Sequence, residues 1–104
     1  MEITENDKIE LQTMLDIVIN QIPNYFNLLN SSKNDWGIQK VDDCVFGMVF
    51  NSFVAKSTEY LKNKILDNEV DPKLHANSEY FQTTMSFFNA NVPKVKQAIS
   101  SIST

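Results

Sequence analysis

Apolar residues in the last quarter of the chain, Phe81, Met85, Phe88, Val92, Val95, Ile99 and Ile102, step by 4, 3, 4, 3, 4 and 3. That spacing keeps one side of an α-helix apolar and is the pattern of a coiled-coil seam. Leu11, Leu15, Val18, Ile22, Tyr25 and Leu29 repeat it near the start, and a third segment over 45–66 is apolar on nearly every side. The pattern predicts an all-α chain with helices near 4–30, 38–67 and 77–103. Short connections between them imply a three-helix, up-down-up antiparallel bundle forming one domain over 1–104.

Two polar breaks set the helix limits. Asn30-Ser31-Ser32-Lys33-Asn34-Asp35 offers several N-caps, and Asp67-Asn68-Glu69-Val70-Asp71-Pro72 carries a proline that disfavours helix at the residue before it. Asp71 and Pro72 have the form of an N-cap and first helical position, which suits a further turn over 71–76. Pro23 and Pro93 lie inside stripes that keep phase across them, so helices 1 and 3 are expected to be kinked or broken there, with five shorter helices as the alternative. Trp36, beside Gly37, is expected to staple the second helix to the core rather than stand exposed.

The middle segment reads Cys-Val-Phe-Gly-Met-Val-Phe-Asn-Ser-Phe-Val-Ala over 44–55, and a helix apolar all round wants cover all round. A homodimer that completes a larger bundle supplies that cover, with Met14, Ile17, Phe46, Phe50, Tyr80 and Phe87 as candidate interface residues. The alternative is a bundle that holds an apolar small molecule in a pocket lined by Phe46, Gly47, Met48, Phe50, Phe53, Met85 and Phe88. Gly47, Asn51 and Ala55 form a low-relief strip, read as the seat of a close helix crossing. Between Glu79 and Lys94 the chain carries no charge, and Gln82, Thr83, Thr84, Ser86, Asn89 and Asn91 with Tyr80 and Phe87 have the composition of a protein contact surface.

Charge narrows the partners. The 104 residues carry a net charge of -4, with nine lysines scattered among thirteen acids and no arginine. Nucleic acid, which needs clustered cations, is excluded as an expected partner, and phosphate recognition loses its best side chain. Acids lead each apolar segment, with Glu2, Glu5, Asp7 and Glu10 at the first, and lysines close the later two, as helix dipoles favour. The uncharged run over 44–55 is twelve residues, short of the ~20 that span a bilayer. The chain opens with acids rather than the cations of a secretory leader, and the single Cys44 has no partner for an intrachain disulfide, so a cytoplasmic protein is expected. The acceptor pattern Asn30-Ser31-Ser32 is discounted for the same reason.

Candidate chemistry is sparse. His75 is the only histidine, four residues after Asp71, and it lacks the further ligands of a zinc site. No Glu-x-x-His occurs for a di-iron bundle, and Asp67, Glu69 and Asp71 lack the glycine and closing acid of a calcium loop. Cys44 follows Asp42 and Asp43, which oppose thiolate formation. With only Gly37 and Gly47 in the chain, no phosphate-cradling loop is available. The expectation is a non-enzymatic interaction or regulatory module with protein partners, without cofactor or metal.

Overall fold

The computed structural model describes residues 3–67 and 78–103. It is all-helical: α1 (Glu5–Asn20), α2 (Ile22–Trp36), α3 (Val41–Asp67) and α4 (Ser78–Ser103). The expected turn at 71–76, Asp71 and His75 lie outside the described residues.

α1 begins at a reciprocal cap in which the Thr4 side chain accepts from the Asp7 amide at 3.1 Å and the Asp7 carboxylate accepts from the Thr4 amide at 2.8 Å. The stretch expected as one helix over 4–30 is divided at Gln21. Pro23 brings no amide hydrogen to the helix ladder, and the Gln21 N–H turns instead to the Val18 carbonyl at 3.0 Å. α2 ends where Gly37 takes the left-handed conformation (φ 69°) and the Ile38 amide reaches back to the Lys33 carbonyl at 2.9 Å. Trp36, expected against the core, closes α2 with 60% of its surface exposed. α3 carries Asp42 and Asp43 in its first turn, where the dipole favours them. Pro93 lies inside α4, on its exposed side, and the helix runs on to Ser103.

α3 is the hub, in contact with α1, α2 and α4. Val45, Val49, Phe53 and Leu61 on it are fully buried, and Phe46, Met48, Phe50 and Val54 are half-buried. The hydrophobic excess that suggested a second chain is thus largely used within this one, because three helices surround α3. Its open side is Gly47, Asn51 and Ala55. A methyl group on Gly47 would meet nothing within 4 Å, so the expected close crossing does not occur there.

The seams also differ from a coiled coil. Asp7, Leu11, Leu15, Val18, Ile22, Phe26 and Leu29 are the buried line of α1 and α2, with steps of 4, 4, 3, 4, 4 and 3. Phe26 takes the place expected for Tyr25, whose hydroxyl donates to Ser52 at 3.1 Å. In α4 the buried residues are Tyr80, Thr84, Phe88, Val95 and Ile99, while Phe81 and Ile102 of the heptad stripe stay 43% and 41% exposed. An eleven-residue repeat averages about 3.67 residues per turn, close to a straight α-helix, whereas 3.5 requires a left-handed supercoil.

Candidate functional site

The aromatic residues of α3 and α4 meet each other rather than a void. Phe88 makes edge-to-face pairs with Phe46 and Phe50 at centroid distances of 5.7 and 5.1 Å, and Phe53 lies 5.9 Å from it and stacks on Phe87 at 5.7 Å. These separations are those of favourable ring pairs. Of the expected pocket set, Phe53 and Phe88 are buried, Phe46, Met48, Phe50 and Met85 are half-buried, and Gly47 lies on the outer surface. Of the expected interface set, Phe46, Phe50 and Phe87 join this cluster, Met14 packs against the core, and Tyr80 is buried beside Leu61. Ile17 stands apart on the outside of α1, 48% exposed.

Open grooves flank the α3–α4 contact. One of about 650 Å³ runs between Val54, Ala55, Thr58 and Glu59 on α3 and Tyr80 and Phe81 on α4. Another, of about 460 Å³, lies near Asp42, Asp43, Phe46, Val92 and Lys96, where the Lys96 ammonium stands 6.0 Å from the Phe46 ring.

A polar node ties the start of α1 to the far part of α3. Asp7, 2% exposed, accepts from the Tyr60 hydroxyl at 2.8 Å and from the Lys64 ammonium, in addition to its cap bond with Thr4. Burial alone would raise the Asp7 carboxyl, but the bonds from Lys64, Thr4 and Tyr60 outweigh it and hold the group well below the usual carboxylate range. Burial, with the hydrogen bond to Asp7 and the negative charge there, pushes the Tyr60 phenol up to about 12. The node is saturated with internal partners and anchors structure. In the sequence Asp7 reads only as a helix-end charge, and the signal that marks its cap is Thr4 followed three residues later by an acid, a capping-box spacing.

The most distinctive surface is the outside of α1 and α2. From Ile9 to Ser31 the exposed residues are Ile9, Thr13, Ile17, Asn20, Gln21, Pro23, Asn24, Asn27, Leu28, Asn30 and Ser31, and none of them is charged. Glu10 and Asp16, at the margins, are half-buried, and Asp16 is met by Lys94 at 2.8 Å. The Lys94 ammonium, then the Gln12 amide, hold the Asp16 carboxyl below its ordinary range. Ile9, Ile17 and Leu28 expose 63%, 48% and 47% of their surface here. Cys44 is a half-buried free thiol. Among the described residues, no group of three or more His, Cys, Asp or Glu side chains is placed to hold a metal, and no helix is long and apolar enough to cross a membrane. No protein-family model, no curated protein and no solved structure matches the chain.

Proposed function

We propose that this chain is a small helical interaction module without catalytic chemistry of its own, acting as a homodimer whose partners are proteins. The observation that carries the reading is the run from Ile9 to Ser31 on α1 and α2, in which none of the exposed residues is charged and from which three large aliphatic side chains project. Water-facing isoleucine and leucine on a surface without charge give up apolar area at little electrostatic cost when covered. The elongated form of the molecule, 48 × 26 × 17 Å, supports it too, since α1 and α2 run along one side of it with their outer residues exposed.

An up-down-up course of the chain is supported by the pairing of Asp7 with Tyr60 and Lys64, of Tyr25 with Ser52, of Phe53 with Phe87 and of Asp16 with Lys94. The unpaired thiol of Cys44 fits a reducing compartment such as the cytoplasm.

The test is solution mass by light scattering from micromolar concentrations to about 1 mM, with native mass spectrometry on the same sample. A mass rising toward twice 11.9 kDa supports the reading. A mass of 11.9 kDa throughout overturns the homodimer, and a monomer carrying a bound apolar molecule moves the assignment to the ligand-binding alternative.

A further inference from the structure

Five exposed residues along α1 form a palindrome in both type and spacing: Asn6, Ile9, Thr13, Ile17 and Asn20, with steps of 3, 4, 4 and 3. They lie on one side of the helix, because steps of three and four residues return to the same face. A two-fold axis at Thr13 brings an antiparallel second copy into register. Each Ile9 then meets the other copy's Ile17, Thr13 meets its own image, and Asn6 meets Asn20. We infer that this stripe of α1 is a self-complementary interface, on which a second copy of the chain docks antiparallel about Thr13; the inference rests on the homodimer reading above and names its face.

Three features favour a second copy as the occupant. Isologous contact requires a patch that matches itself under a two-fold rotation, and a palindrome does so by construction. The chain carries a net charge of -4, so two copies repel in general, and the five stripe residues are all uncharged; of the two carboxylates that flank the stripe, Glu10 and Asp16, the latter is met by Lys94 of its own chain. The central polar group is already satisfied: the Thr13 hydroxyl donates to the Ile9 carbonyl at 2.9 Å, so covering it strands no donor. At the two ends, facing asparagine amides both donate and accept. The stripe is about 21 Å long at 1.5 Å per residue, which places the contact among the small, transient interfaces.

The stripe is exposed in the single chain, so substitutions there test association without unfolding the monomer. Ile9→Lys with Ile17→Lys puts four lysines into a symmetric interface and is expected to raise the dimer dissociation constant by more than about tenfold with helix content by circular dichroism unchanged. In a Cys44→Ser background, Thr13→Cys is expected to yield a disulfide-linked dimer on mild oxidation, and Asn51→Cys on the open side of α3 is expected to remain monomeric, since a disulfide needs Cβ atoms within about 4.5 Å. A wild-type dimer that the double lysine variant leaves intact overturns this face while self-association stands. A wild type that stays monomeric to about 1 mM overturns both.

Discussion

The two glycines respond to substitution in opposite directions. Gly37 holds φ at 69° to end α2, a conformation in which a Cβ collides with the backbone, so Gly37→Ala is expected to lower stability by about 1 kcal/mol. Gly47 sits in mid-helix with open space where its side chain would be. Gly47→Ala removes unfolded-chain freedom without a clash and is expected to add about 0.5–1 kcal/mol. Thr84 presents a third single-residue case. It is fully buried and its hydroxyl has no hydrogen-bond partner among the described residues, so the folded state bears the desolvation of that oxygen without return. Thr84→Val keeps the shape, discards the hydroxyl, and is expected to stabilise by about 1 kcal/mol. Thermal melting of the three variants checks all of these, at roughly 4–8 °C per kcal/mol for a domain of this size.

At the scale of helices, Asp7 joins the first turn of α1 to Tyr60 and Lys64 on α3. Asp7→Asn removes the charge on which both partners are set, and a loss of about 2–3 kcal/mol is expected, moderated because the Lys64 side chain keeps 28% of its surface in water. The same node sets an acid limit. The Asp7 carboxyl is held below its ordinary 3.8 in the folded chain, so on acidification the unfolded chain takes up the proton first. Its contribution is complete above about 4 and declines as the pH falls below that value; melting temperature plotted against pH should drop less steeply there in Asp7→Asn than in the wild type. This node also marks how far the sequence could be read. Apolar periodicity gave an all-helical chain and most of the buried line, since Leu11, Leu15, Val18, Ile22 and Leu29 are all core, but it runs unbroken through the division at Gln21. It misassigned the start of α4, where Phe81 and Met85 were expected inside and Tyr80 and Thr84 are buried instead. A heptad and an eleven-residue repeat share most positions over two turns and part by one residue after that, so hydrophobicity alone cannot tell which line faces α3. Asp7 and Thr84 escaped because burial of a polar residue is decided by partners on another helix, and pattern along one helix does not record them. On the outside of α1 the sequence marks Ile17 as a candidate contact residue, while the exposure of Ile9 and Thr13 follows only once the inner face of α1 is known.

For the whole molecule, the decisive quantity is how association responds to salt. The radius of gyration is 15.6 Å, against about 13 Å for a compact domain of about 100 residues, so much of the surface lies along the sides of an elongated slab. Two such slabs, each of charge -4, repel at a distance, and the stripe proposed to join them holds no ion pair. Raising ionic strength shortens the screening length from about 30 Å at 0.01 M to about 8 Å at 0.15 M and weakens only the repulsion. The dimer is therefore expected to tighten as sodium chloride goes from about 0.01 to 0.15 M, with a dissociation constant falling a few-fold and then levelling once the charges are screened. An interface held by opposed charges, such as lysines of α4 against the acids of α3, behaves in the opposite way and loosens over the same range. Sedimentation equilibrium at the two salt concentrations separates them: tightening fits contact through the uncharged side of α1, and loosening assigns the contact to a charged face instead.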